Sequence, residues 1–240
     1  EGGGLEVRYA IDGPMDPTRP LVIDPEIQFA SFVGSTGDSW GFTAGYDDNG
    51  RLIGGSGVRE TGYPTTAGAI DATFNGGEFD VGISVWSEDG SALDYSTYLG
   101  GGNMEFPHSI ASDAAGDIFI MGTTGSASFP VTANSLGTSF IGGDNIDLGA
   151  NHFYGSYNAG CDLFVTKLSG PDGAMLASTF IGGSGNDGLN IGEKLNYNYG
   201  DVCRGEIAVD PSGGVWVASS TNSPDFPLFQ AFEPVFQGGS

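Results

Sequence analysis

Residues 92–102 read ALDYSTYLGGG and residues 175–185 read MLASTFIGGSG. Each runs small residue, Thr, aromatic, aliphatic, Gly, Gly, and each follows a turn; a weaker copy, QFASFVGS, occupies residues 28–35. Short segments of this kind read as strands, and the paired glycines let the chain change direction after them. A strand written repeatedly in the same words marks a repeated supersecondary unit.

The words around it repeat too. After each copy comes a segment ending in Asp (41–47, 108–113, 205–210), then a tight turn, DDNG, DAAG or DPSG, with Gly50, Gly116 and Gly213 at the positive-φ place. The apolar segments RLIGGSG, DIFIMGT and GVWVASS follow. Each leads to an aromatic-Pro pair: Tyr63-Pro64, Phe129-Pro130 and Phe226-Pro227. Next come DVGISVWS from Asp80 and DLFVTKLS from Asp162, closed by the turns EDG and GPDG. Four strands per unit, joined by turns, is the grammar of a propeller blade. A two-sheet sandwich also uses short strands, but it seldom repeats one four-strand order. The expected fold is therefore all-β, a β-propeller of four-stranded antiparallel blades, incomplete in these residues. The expected divisions are 1–24 as a lead-in or the end of a preceding β domain and 25–240 as partial propeller. Within the latter lie a blade-closing strand over 28–34, blades over 41–99 and 108–182, and a partial blade over 205–240. The closing strand would pair with strands beyond Ser240.

Composition narrows function. Lys and Arg total 7 against 30 Asp and Glu, a net charge of −23, which excludes a nucleic-acid or anionic-membrane footprint. No stretch approaches the roughly 20 apolar residues of a membrane helix. The 43 glycines favour short strands and turns over helices, and the acidic, Lys-poor balance suits an extracellular protein.

The run STYLGG, the D-x-x-G turn before an aliphatic strand and the (S/D)-F-P landmark together resemble the SBBP-type (seven-bladed β-propeller) repeat. PLVIDPEIQFASF, residues 20–32, is similar to the lead-in of the first blade in such proteins. NYNYGD and RGEI, residues 196–201 and 204–207, resemble surface proteins of gliding Bacteroidota that carry a type IX secretion signal. The resemblance covers the chain from Pro20 onward and implies export, a cell-surface location and a scaffold or adhesion role.

Several motifs carry less than their letters suggest. GDSWG, residues 37–41, fits the nucleophile-elbow pattern around Ser39, but that device needs a strand, a sharp turn and a helix, and no helical period follows. GSGNDG, residues 183–188, fits a dinucleotide pattern without the helix that would receive the phosphates. With only His108 and His152, no three-His zinc site can form, and His108 reads as a partly buried hydrogen-bonding residue. No cofactor is expected. Calcium is the one ion the loops would suit, with Asp144, Asp147 and Asp187 as weak candidate ligands against the plainer reading of solvated turn acids. Asp113 and Asp210 are expected to accept turn amides.

Connections in an up-and-down blade alternate between two faces, so the long insertions 140–161 and 186–203 share one. Their tyrosines and asparagines suit recognition. His152, Phe153, Tyr154, Tyr157, Tyr197, Tyr199 and Trp40 are the candidate binding residues, with a protein or surface glycan as partner and the secretion machinery in transit; packing of the loops onto the blades is the competing account. Each insertion ends on a cysteine. A Cys161–Cys203 bridge would close a loop of about 40 residues and add about 3–4 kcal/mol, with two separately buried thiols as the alternative. The functional expectation is a non-enzymatic interaction segment. Its rival is a polysaccharide-acting enzyme, a hydrolase or lyase with a carboxylate-lined propeller face.

Overall fold

A computed structural model describes residues 29–151, 155–192 and 200–238. Strands β1 (Ser39–Tyr46), β2 (Leu52–Val58), β3 (Asp80–Trp86) and β4 (Leu93–Leu99) form one antiparallel meander in chain order. Strands β5 (Glu105–Ser112) and β6 (Ile118–Thr124) open a second. An insertion then carries a two-residue ribbon, β7 (Ile146–Asp147) and β8 (Ser156–Tyr157), before β9 (Asp162–Leu168) and β10 (Met175–Ile181) complete the meander. A short 3-10 turn, Asp201–Cys203, leads into β11 (Glu206–Val209) and β12 (Val215–Ala218), a two-stranded third sheet. The described residues thus make two whole blades and the first half of another, and they do not close a ring.

The two repeated segments are equivalent outer strands. In the first blade Val81, Gly82 and Ile83 face Leu99, Tyr98 and Thr97; in the second Leu163, Phe164 and Val165 face Ile181, Phe180 and Thr179. Even the irregularity repeats, between Val85 and Trp86 in one pair and between Met175 and Ala177 in the other.

An outer strand exposes an unpaired edge unless something covers it. Here the segment after the aromatic-Pro pair does so. Thr66 N donates to Ser96 O at 3.0 Å and Tyr98 N to Asp71 O at 3.0 Å. In the second blade Thr132 N donates to Ser178 O and Phe180 N to Gly137 O, both at 3.0 Å. The aromatic residue before each proline tucks beneath the same strand: Tyr63 lies 5.5 Å from the Tyr98 ring, and Phe129 lies 6.1 Å from Phe180 and 4.5 Å from Phe164.

The main core fills the space between the two blades. Ile53, Val81, Ile83, Val85, Tyr95 and Leu99 on one side meet Ile110, Ile118, Ile120, Phe164, Leu168 and Phe180 on the other. A smaller cluster, Phe119, Met121 and Ile207, seats the third sheet on the second blade.

Residues 29–34 form no strand among the described residues, and the partner expected for a blade-closing strand over 28–34 is not among them. A strand needs a ladder partner, and none among the described residues lies beside this segment. Phe29 packs instead over the turn at Gly90, and Phe32 stands in solvent. Residues 1–24 and the first residue of that segment, Gln28, lie outside the described residues.

The second blade tolerates no side chain at Gly122 in β6. A methyl there would lie 2.2 Å from the Phe106 carbonyl oxygen and 2.7 Å from the Phe164 ring. Gly122→Ala is expected to destabilise the protein by about 2–3 kcal/mol, read as a lower urea midpoint. An unchanged midpoint would show that these strands are spaced more loosely than described.

Candidate functional site

The first strands of the blades, β1, β5 and β11, run side by side, β5 packing against both others. Between them opens a hollow of about 470 Å³, with Phe42, Ser109, Arg204 and Glu206 on its wall. Ser109 Oγ donates to Glu206 Oε2 at 2.9 Å. Arg204 reaches Asp201 Oδ1 through Nε at 3.0 Å and Nη2 at 2.7 Å, while its side chain remains mostly exposed. An aromatic ring, a hydroxyl and a carboxylate on neighbouring strands, with a guanidinium just before the third, form a polar recognition surface.

His108 backs this hollow. Burial pushes its imidazole down to about 3, so it stays neutral across the physiological range and is a feeble base. Its Nε2 lies 3.3 Å from Thr123 Oγ1, which lies 2.7 Å from the Tyr157 hydroxyl. The expected hydrogen-bonding role holds through Nε2, but His108 is buried rather than only partly buried, and its Nδ1 has no partner. Ser39, at the head of β1, contacts Ser35 Oγ at 3.0 Å and is followed by strand rather than helix. The glycine-rich run 183–188 likewise opens no helix. Two of its amides go to carboxylates, Gly183 N to Asp187 and Ser184 N to Asp225, both at 2.8 Å, and Gly185 N goes to the Ser223 hydroxyl at 2.9 Å.

The long-connection face differs from expectation. Tyr157 is fully buried, not presented to a partner. It joins Phe79, Met104, Phe106, Leu148, Cys161, Leu189, Val202 and Cys203 in a second core, because the insertions fold down onto the blades. Trp40 packs at the margin of that core, 5.0 Å from Phe79 and 6.5 Å from Phe106. His152, Phe153, Tyr154, Tyr197 and Tyr199 lie outside the described residues.

The bridge between Cys161 and Cys203 is corrected to two free, fully buried thiols. Both belong to the second core. Cys161 Sγ donates to Asp187 O at 3.3 Å, and burial pushes both thiols up. Face parity brought them to one neighbourhood, but apolar packing and a hydrogen bond occupy them there.

The calcium candidates do not converge. Asp187 is buried, with its carboxylate saturated by protein donors. Asp147 accepts Gly149 N at 2.9 Å in an exposed turn, and Asp144 offers its backbone carbonyl to Asn186 Nδ2 at 3.0 Å. Among the described residues no three metal-ligating side chains cluster.

The turn acids do what turns need. Asp113 Oδ1 accepts Ala115 N at 2.9 Å and Asp117 N at 3.0 Å; Asp210 Oδ1 accepts Ser212 N at 2.8 Å and Gly214 N at 2.9 Å. Asp47 accepts Asn49 N and Arg51 N in the same way, both at 3.0 Å. Gly50, Gly116 and Gly213 carry φ of 75°, 79° and 83°. The Ser212 hydroxyl and the Trp216 indole further lower the Asp210 carboxyl.

Ser109 carries no mark in the sequence, since nothing local distinguishes an inner strand's Ser from any other. The RGEI segment, residues 204–207, brings Arg204 and Glu206 to this hollow, and His108 and Cys203 also line it.

Residues 94–130 match the SBBP family of beta-propeller repeats. The match runs from β4 through β5 and β6 to the Phe129-Pro130 landmark, so the repeat as matched straddles two blades. No curated protein matches the chain.

Two thiols per chain are expected to resist alkylation in the folded protein, and both to react, without reductant, once it is denatured. Intact mass reads the outcome; a chain that stays unmodified after denaturation carries the bridge after all.

Proposed function

We propose that this chain is a non-enzymatic interaction module of an exported cell-surface protein, with the axial hollow as its contact site. The observation that carries this is the wall of that hollow. Phe42, Ser109 and Glu206 are held by three neighbouring inner strands, Arg204 stands just before the third of them, and Glu206 is the one carboxylate lining the hollow among the described residues. Hydrolysis of a glycosidic bond ordinarily asks for two carboxyl groups flanking the bond, whereas one carboxylate, one guanidinium and an aromatic edge suffice to hold a hydroxyl-rich ligand. The net charge of −23 repels polyanions, which favours an uncharged surface glycan as partner. The Gly-rich, Lys-poor composition and the likeness of residues 196–201 and 204–207 to gliding-associated surface proteins support an extracellular location, reached by the type IX route.

Affinity electrophoresis through gels containing neutral polysaccharides tests the reading. The protein is expected to be retarded by at least one, with Glu206→Ala weakening that interaction by about tenfold, worth about 1.4 kcal/mol, while the polysaccharide keeps its chain length. Release of reducing ends that disappears in Glu206→Gln would replace this reading with a polysaccharide-cleaving enzyme.

A further inference from the structure

Asp80 and Glu105 sit where the chain leaves the first blade and starts the second; Asp162 and Asp187 sit at the next such junction, each 82 residues further on. All four side chains are fully buried. Their hydrogen bonds repeat as well. Gly101 N donates to Glu105 Oε2 and Gly183 N to Asp187 Oδ2, both at 2.8 Å. Thr124 Oγ1 donates to Glu105 Oε1 at 2.7 Å, and Thr221 and Ser223 hydroxyls donate to Asp187. Asn75 N donates to Asp80 Oδ2 at 2.7 Å; Ile141 N and Gly142 N donate to Asp162 at 2.7 and 3.0 Å.

In each junction one oxygen from each acid crowds the same glycine. A methyl on Gly100 would lie 2.5 Å from Asp80 Oδ1 and 2.8 Å from Glu105 Oε2; on Gly182 it would lie 2.5 Å from Asp162 Oδ1 and 2.9 Å from Asp187 Oδ2. Of these eight carboxyl oxygens only Asp80 Oδ1 has no hydrogen-bond partner.

No cation among the described residues offsets the pairs. The groups that face them are Asp71 and Tyr98 near Asp80, Tyr157 near Glu105, and Cys161 near Asp162 and Asp187, with Asp225 beside Gly183. The described ion pairs lie elsewhere: Arg59 with Glu78, Arg51 with Asp47, Lys167 with Asp113 and Asp117, Arg204 with Asp201. Two desolvated carboxylates with no counter-charge cost far more than one carboxylate beside one neutral acid. A calcium ion would need six or more oxygens, and seven of these eight already accept protein N–H or O–H groups.

We propose that the first blade junction is a proton latch: Asp80 and Glu105 hold one proton between them, carried on Asp80 Oδ1, and the blades loosen against each other when it leaves. Burial raises Asp80 to about 8, with Glu105 and Asp71 adding to it, and burial raises Glu105 to about 7. A folded state that keeps protons the unfolded chain gives up near pH 4 is favoured at low pH and loses that advantage as pH rises through about 7–8. Buried neutral His108 works in the opposite direction, but only below about pH 6.5. The latch is therefore read cleanly above that.

The test compares thermal midpoints at pH 6.5 and 9 for the wild-type chain, Asp80→Asn and the exposed control Asp48→Asn. The wild type and the control are expected to lose about 5 °C or more across this range. Asp80→Asn, which puts an amide N–H where the protonated oxygen stood, is expected to lose less than half as much. Infrared spectra of the wild type are expected to show a protonated-carboxyl stretch at pH 6.5 that fades by pH 9, and this decides the matter should Asp80→Asn not fold. Equal losses in wild type and Asp80→Asn, or no such stretch at pH 6.5, would overturn the latch. So would millimolar calcium raising the wild-type midpoint and not that of Asp80→Asn, which would make the junction a metal site.

Discussion

A buried carboxylate holds the place where the chain passes from one blade to the next. At that point the backbone has left the ladder of the outer strand and has not yet joined the inner strand of the following blade, so its amides lack ladder partners. Glu105 takes the amide of Gly101, and Asp187 takes that of Gly183. Thr124 at the end of β6 and Thr221 just past β12 fix the same carboxyl groups from the other side. Were these crossovers free to swing, the apolar faces of adjacent sheets would have no fixed angle at which to interlock, and the core between Ile83 and Ile120 would not close. The paired glycines follow from this, because only a residue without a Cβ lets the acids come so near the backbone.

The same chemistry explains how a chain with 30 acids and 7 basic residues remains compact. Many of the acids are structural acceptors. On the tight-turn face Asp47, Asp113 and Asp210 each bind two backbone amides of their own turns, and Asp113 also meets Lys167, which bridges to Asp117. Arg51 ties that face together across blades by donating to Gly170 O at 2.9 Å. The opposite face is consolidated differently. There the insertions supply Leu148, Tyr157, Leu189 and Val202 to a second core that spans the tops of the blades. One face is held by charge and amide chemistry, the other by apolar burial, and the axial hollow opens among the inner strands.

The strand grammar, the turns and the blade equivalence are legible in the sequence because each is local: a tight turn needs Asp and Gly at fixed offsets, and an outer strand needs its small, aromatic and aliphatic residues in order. Residues 92–102 and 175–185 therefore announce equivalent strands by their order of residue types alone. The role of the aromatic-Pro landmark, visible in the sequence only as a recurring pair, needs the third dimension, since its purpose is to cover an edge some 30 to 50 residues away in the chain. The fates of Tyr157 and of the two cysteines also lie beyond the sequence. Whether a loop residue faces a partner or a core depends on where the loop folds back, and that is set by distant apolar surface. The segment 28–34 reads like an outer strand, yet a strand exists only beside a partner. Sequence by itself determined what repeats in this protein. Tertiary structure alone decided which acids meet, because the pairing of Asp80 with Glu105 and of Asp162 with Asp187 joins residues from different blades, and no spacing along one strand encodes contact between two.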